Sequence, residues 1–177
     1  KGVKVIHKGL INLIYSAGKN LRVTSDDRFL SVTTISFDPM VMEMILPLIF
    51  GACVVFADDY TRRDGKALLK KAIDDKITIV NGTPTFWQIL IDAGWRDPLD
   101  IKILCGGEAL TTNLTKELIP RCLELWNMYG PTETSVCCFM NKINLNDDPI
   151  TIGKPIANTQ IYLLNDSGGL VGHNEIG

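Results

Sequence analysis

The chain has 177 residues, with 18 Lys+Arg against 20 Asp+Glu and a formal net charge of −2. Its 46% hydrophobic and 21% charged content supplies a core and excludes a disordered polymer. The near-neutral balance, without a basic block, argues against a nucleic-acid partner held through its phosphates.

Mean hydropathy is mildly positive, so a membrane segment has to be tested. The longest uncharged apolar run, Met44 to Ala57, has 14 residues and is interrupted by Pro47 and Gly51; a bilayer span needs about 20. No membrane partner is expected. No basic segment leading into an unbroken apolar run is visible at the start of the chain, so a secretory signal is not expected. It begins at Lys1-Gly2-Val3 and stops at Glu175-Ile176-Gly177, which reads as an excised piece of a longer protein. Five cysteines, Cys53, Cys105, Cys122, Cys137 and Cys138, are odd in number and show no CxxC spacing. Disulfide or zinc chemistry is not expected, and a reducing, cytoplasmic setting follows.

The elements alternate. A helical face of Leu10, Leu13, Ile14 and Ala17 predicts a helix from Gly9 to Leu21, followed by a strand at Phe29–Thr33. An apolar helix at Val41–Ile49 precedes a buried strand at Cys53–Phe56, and a charged helix runs from about Gly65 to Asp75. Next come a strand at Ile77–Val80, a helix at Thr85–Ala93, a strand at Ile101–Cys105, a helix at Thr111–Cys122 and a strand at Leu123–Met128. Beyond Ser135 the pattern turns strand-rich, with Val136–Ile143 and Thr159–Leu164. Continuous apolar strands separated by helices predict an α/β fold: a mostly parallel sheet covered on both faces, running into the start of a β-rich layer. Residues 1–134 form the alternating part and 135–177 the strand-rich part.

In such sheets ligands lie outside the carboxyl ends of the strands. Those ends are Thr34-Ile35-Ser36-Phe37-Asp38, Asn81-Gly82-Thr83-Pro84, Gly106-Gly107-Glu108 and Tyr129-Gly130-Pro131-Thr132-Glu133-Thr134. All are turns rich in Gly, Pro, hydroxyls or a carboxylate, and together they predict a binding cleft. In the last, Tyr129 offers a flat face for a ring, Gly130 and Pro131 a tight turn, and Thr132 a hydroxyl for a phosphate oxygen. Glu133 offers a hard oxygen suited to Mg²⁺. A plain Gly-Pro turn is the bland alternative.

The string Asn127-Met128-Tyr129-Gly130-Pro131-Thr132-Glu133-Thr134 resembles the signature of the adenylate-forming superfamily, in particular the amino-acid adenylation domains of nonribosomal peptide synthetases. The likeness keeps its order along the chain. Lys1-Gly2-Val3 with His7 resembles the tail of that family's phosphate loop, and Ser36 to Met44 its Phe-Asp segment. Gly106-Gly107-Glu108-Ala109-Leu110 is similar to its adenine-side loop, and Ile152 to Tyr162 to its Ile-Gly-Arg-Pro-Ile stretch.

The resemblance implies ATP-dependent activation of an α-amino acid as an aminoacyl adenylate, with transfer to phosphopantetheine on a carrier domain. Carrier and condensation domains of a multidomain synthetase are the implied partners, and ATP and Mg²⁺ the implied cofactors. Asp38 would bind the substrate ammonium; read without the family, it is equally an N-cap for the helix beginning near Pro39. The implied side-chain pocket is Pro39, Met42, Asn81, Leu104, Gly106, Met128, Val136 and Cys137, an uncharged lining with one amide, and a small to medium neutral substrate, hydroxylated and threonine-like, is the expectation. Gly107, Glu108, Asn127, Tyr129, Gly130 and Thr132 would hold ATP, with Gly107 and Tyr129 around adenine, Thr132 on the α-phosphate and Glu133 on Mg²⁺; Thr132 and Glu133 would serve catalysis. The loop Asn81-Gly82-Thr83-Pro84 departs from the family's commoner Pro-Pro form.

An acyl- or aryl-CoA ligase is the alternative within the superfamily, disfavoured by Asp38; a non-catalytic nucleotide-binding or docking module is the alternative outside it. The chain alone is expected to be inactive, lacking most of the phosphate loop and the small lobe. His7 and His173 read as packing or solvated residues, and Trp87, Trp95 and Trp126 as core. The cluster of Arg62, Arg63, Lys66, Lys70 and Lys71 reads as a solvated helix face.

Overall fold

The computed structural model describes residues 2–172 and Glu175. Its strands are β1 (Arg28–Ser31), β2 (Cys53–Phe56), β3 (Ile79–Gly82), β4 (Lys102–Gly106), β5 (Glu124–Tyr129), β6 (Phe139–Ile143) and β7 (Lys154–Pro155). They form one sheet in the order β2-β1-β3-β4-β5-β6-β7. The first five are mutually parallel; β6 and β7 add antiparallel at one edge.

Extended chain points successive side chains to opposite faces, and the apolar pairs of the central strands use both. Phe29, Ile79, Leu104 and Met128 pack under α1 (His7–Leu21) and α2 (Met40–Ile49). Leu30, Val80, Ile103 and Leu125 pack under α3 (Gly65–Asp74), α4 (Pro84–Asp92) and α5 (Thr112–Leu118). Both layers are dry: Leu13, Ile14, Ala17 and Leu46 on one side and Trp87 and Leu118 on the other have no exposed surface. Trp87 and Trp95 are core, as expected. Helix starts follow local chemistry. Asp64 accepts hydrogen bonds from the Lys66 and Ala67 amides, Thr83 caps α4 with Pro84 at the first turn, and Thr111 caps α5.

The boundaries differ from expectation in places. Strand β3 starts two residues later than the apolar run, because the turn after α3 continues through Lys76 at φ 50° and Ile77, whose amide bonds back to the Ala72 carbonyl. Helix α5 stops at Leu118 and tightens to a 3₁₀ turn over Ile119–Arg121, where Pro120 removes a donor. The expected strand at Thr159–Leu164 does not form: among the described residues only a single bridge, Leu164 to Leu170, occurs there. Ile161, Tyr162, Leu163 and Leu164 are exposed, so among the described residues no surface covers them to order them as a strand. Arg62 and Arg63 belong to a 3₁₀ turn ahead of α3, not to the helix face.

One feature of the topology places the ligand crevice. From β1 the chain passes through α2 to β2 at the sheet edge, then returns past β1 through α3 to β3. The two connections cover opposite faces. The carboxyl ends of β1 and β3 therefore part, and open α/β sheets bind ligands at such a switch point.

Candidate functional site

A cavity of about 460 Å³ lies at that crevice, and all four loops expected to build the cleft contribute to it. Its wall takes Thr34, Asp38 and Pro39 from the loop after β1, and Asn81, Gly82 and Thr83 from the end of β3. Gly106 and Gly107 come from β4, and Met128, Gly130 and Thr132 from β5. Met42 of α2 and the segment Val136-Cys137 close the apolar side. The volume suits a small molecule.

The glycines are there for clearance. A Cβ on Gly106 would lie 2.7 Å from the Met128 carbonyl oxygen, and one on Gly130 would lie 2.6 Å from the Cys137 Cα. Gly107 adopts φ +82°, a left-handed conformation that side chains resist. Ser135 and Val136 also have positive φ, 65° and 73°. That turn is why β6 begins at Phe139 rather than at Val136, and it presents Val136 and Cys137 to the cavity. The Cys137 thiol approaches the Phe139 carbonyl at 3.0 Å, and burial pushes its pKa up to about 12.

Asp38 is not the cap of α2. The cap position is Pro39, and no side chain bonds there. Instead Asp38 lines the cavity, and its Oδ2 is buried without a hydrogen-bond partner, the one such side-chain atom among the described residues. A buried carboxylate oxygen left unpaired is costly, and a cation or hydrogen-bond donor entering the cavity would satisfy it.

Close by stands a carboxylate that the sequence reading did not single out. Glu43 is wholly buried within apolar α2. Its Oε2 accepts the Val32 and Thr33 amides, each at 2.8 Å. Its Oε1 accepts the Thr33 hydroxyl and the Asn81 amide nitrogen, the latter at 3.2 Å. Burial raises its pKa above the ordinary 4.5, against the pull of these bonds. The signal available in the sequence was a lone Glu inside the run Met40-Val41-Met42-Glu43-Met44-Ile45-Leu46.

Other expected site residues divide. Pro39, Met42, Asn81, Gly106, Gly107, Met128, Gly130, Thr132, Val136 and Cys137 meet around the cavity. Leu104 does not reach it: its side chain faces the α1–α2 layer with no exposed surface. Asn127 is buried and donates to the Thr151 carbonyl at 3.0 Å, bracing the segment before β7. Glu108 is held at the start of α4, accepting from the Thr85 hydroxyl at 2.7 Å and the Thr85 amide at 3.2 Å, which lowers its pKa. Tyr129 is half exposed at the end of β5, its ring edge-on to Phe139. Glu133 is exposed on a 3₁₀ turn beside Thr132. A single carboxylate beside substrate phosphates is a common way to hold Mg²⁺, so its chemistry fits.

The uncharged lining needs one correction. Arg62 contributes to the cavity wall, with its guanidinium paired to Asp59. A cluster of basic residues gave no hint that one of them turns inward, because a 3₁₀ turn rather than α3 carries it. His7 is exposed at the first residue of α1; His173 lies outside the described residues.

Comparison with known proteins places this architecture. A family model described as AMP-binding enzyme matches residues 1–177. The chain is 36% identical over 166 residues to the PKS-NRPS hybrid synthetase acdB of Aspergillus candidus, covering 93% of this chain. It is 38% identical over 169 residues to a dimodular nonribosomal peptide synthase of Bacillus subtilis, covering 94%. It spans 7% of the length of each. Among solved structures, the four-domain nonribosomal peptide synthetase holo-AB3403, bound to AMP and glycine, superposes with a TM-score of 0.92 at 36% identity. That match covers 97% of this chain and 13% of that one. With its full length matched by the family model and its sheet reproduced in a synthetase, the chain belongs to the AMP-binding enzyme family.

Proposed function

We propose that this chain forms the amino-acid and nucleotide face of an adenylation domain, activating an α-amino acid with ATP. The observation that carries the reading is Asp38: a carboxylate oxygen buried in the cavity with no partner in the protein. An α-ammonium supplies both the charge and the donors it lacks. The similar synthetase solved with AMP and glycine pairs a nucleotide with an amino acid, the same two ligand classes.

In this reading the substrate ammonium seats on Asp38, and its side chain lies among Met42, Asn81, Gly106, Met128 and Val136. Its carboxylate is thereby aimed toward the Gly130–Thr132 turn, where ATP places its α-phosphate. Carboxylate oxygen attacks that phosphorus, the bond to the β-phosphate oxygen breaks, and pyrophosphate leaves. Gly107 and Tyr129, at the ends of adjacent strands, flank the adenine, and Thr132 donates to an α-phosphate oxygen. Glu133 would hold Mg²⁺, which when bound neutralises phosphate charge. The contribution of the protein is positioning and charge complementarity on a rigid edge. A phosphopantetheine carrier domain takes the acyl group, and carrier and condensation domains of a multidomain synthetase are the partners. The lining favours a neutral amino acid of small to medium size bearing a hydroxyl.

The test is amino-acid-dependent ATP–pyrophosphate exchange by the full protein that carries this chain, run with a panel of amino acids. Exchange stimulated by a neutral hydroxylated amino acid, and lost in Asp38→Ala, is the expected result. A broken ion pair in a partly dry pocket costs about 3–5 kcal/mol. Near-normal exchange by the variant overturns the assignment, and preference for Lys, Arg, Asp or Glu overturns the substrate class.

A further inference from the structure

Asn81 sits at the cavity with a side chain that has two different ends. Its amide nitrogen donates to Glu43 Oε1 at 3.2 Å. Among the described residues no side chain or backbone group bonds to its Oδ1. An amide can turn over, exchanging its acceptor for its donor, so what the substrate meets depends on what holds the far end. Here the far end is held by a group that only accepts. Glu43 receives two backbone amides on Oε2 and the Thr33 hydroxyl on Oε1 in addition to Asn81, filling the roughly four lone-pair positions of a carboxylate. No oxygen is left over to carry a proton toward Asn81.

We propose that Glu43 is a positioning residue that locks the Asn81 amide with its carbonyl oxygen toward the cavity. The site thereby selects a substrate side chain that donates a hydrogen bond, a hydroxyl, over the same side chain with that oxygen alkylated. This rests on the adenylation reading above and adds to it a polarity. Glu43 does not touch substrate; it acts through Asn81, and through Val32 and Thr33 it ties the loop after β1 to the end of β3. Both of those segments line the cavity, so one carboxylate sets the crevice width and the sense of its one neutral amide.

Glu43→Gln separates this role from simple support. The Gln carbonyl oxygen can still accept the Val32 and Thr33 amides. Its nitrogen donates where Glu43 accepted, and Asn81 answers by turning its carbonyl inward and its nitrogen toward the cavity. Exchange is measured in the full protein with threonine and O-methylthreonine, for the parent and the variant. The larger size of the methyl ether penalises both proteins alike, so the change in the threonine-to-ether ratio of kcat/KM reports the amide. The ratio should fall about tenfold or more in E43Q, since the ether oxygen can now accept from Asn81. An unchanged ratio overturns the proposal, and so does a parent protein that prefers the ether. No exchange with any amino acid in the parent instead overturns the adenylation reading.

If E43Q does not fold, two measurements replace it. Asn81→Ala must reduce the threonine-to-ether ratio, and the parent must show a nuclear Overhauser contact between the Asn81 amide protons and the Glu43 side chain. Failure of either overturns the proposal.

Discussion

Asp38 and Glu43 flank the first turn of α2, five residues apart, and meet opposite fates: Glu43 accepts four hydrogen bonds while a buried oxygen of Asp38 accepts none. The satisfied carboxylate ties together the segments around it, and the unsatisfied one presents an open acceptor at the cavity wall. That contrast predicts a trade between stability and function. Asp38→Asn should leave the ligand-free protein as stable or more so, by about 1–2 kcal/mol, by removing the charge from a group with an unpaired buried oxygen. Glu43→Ala should destabilise it by about 3 kcal/mol or more, since it strands four donors. Urea unfolding of the two variants beside the parent measures this; equal losses in both would contradict it.

The glycine turns make a second case. Gly130→Ala drives a Cβ into backbone at Cys137 and Cys138, which cannot swing aside as a side chain can. A cost of about 1–3 kcal/mol is expected, as for an overpacked core. Gly2→Ala meets nothing within 4 Å and serves as the control. Thermal melts that rank the two alike would refute the clearance argument.

Glu124 makes a pH-dependent tie. It is buried in β5, and its carboxylate accepts from Arg22 at 2.8 Å, Lys142 at 2.6 Å and Trp126 at 2.9 Å. Burial pulls its pKa up, but the bonds and charges from Lys142, Trp126 and Arg22 outweigh this and leave it below the ordinary 4.5. The unfolded chain then binds the proton more readily than the folded one. The stability contributed is complete above about 4.5 and is lost as the pH falls through the folded-state value. The stability gap between the parent and Glu124→Gln should therefore narrow as the pH is lowered from neutral into that range. A gap that widens toward acid would reverse the sign.

The cysteines differ in reactivity. Burial pushes the pKa of Cys105 up to about 12, with the charge of Glu108 adding to it. Cys122 and Cys137 also reach about 12 through burial. Their thiolate fraction at pH 8 is on the order of 10⁻⁴, whereas Cys53 is exposed on β2. Iodoacetamide at that pH should label Cys53 first, with Cys105, Cys122 and Cys137 modified only on unfolding. Peptide mapping by mass spectrometry decides it, and early labelling of Cys105 would contradict the burial.

Much of this was legible in the residues. Cys53–Phe56 and Ile101–Cys105 are short β-branched or aliphatic runs between helical patterns, and both form strands within a residue of expectation. The four strand-end loops were readable because Gly, Pro and hydroxyl residues cluster there, and all four do converge on one cavity. What the pattern could not give was side-chain direction across elements. Leu104 and Gly106 both looked like pocket residues, yet Leu104 is closed off under the α1–α2 layer. Arg62 looked solvated, yet it turns toward the cavity from a 3₁₀ turn. Thr159–Leu164 has strand composition but is exposed here, and strand formation depends on a neighbour as much as on the strand itself.

The position of Asn81, Gly106 and Met128 at or next to the last residue of three neighbouring strands has a consequence for how this surface can change over generations. Sheet register is fixed upstream by backbone pairs such as Val80 with Ile103 and Leu104 with Trp126, which are indifferent to the side chains at the rim. A codon altered at Asn81 or Met128 rewrites what the crevice recognises without re-threading the strands. Gly106 and Gly130 lack that liberty, because backbone occupies the space a side chain would need. Selection for a new ligand therefore has a short alphabet of positions to draw on, set by where the sheet stops.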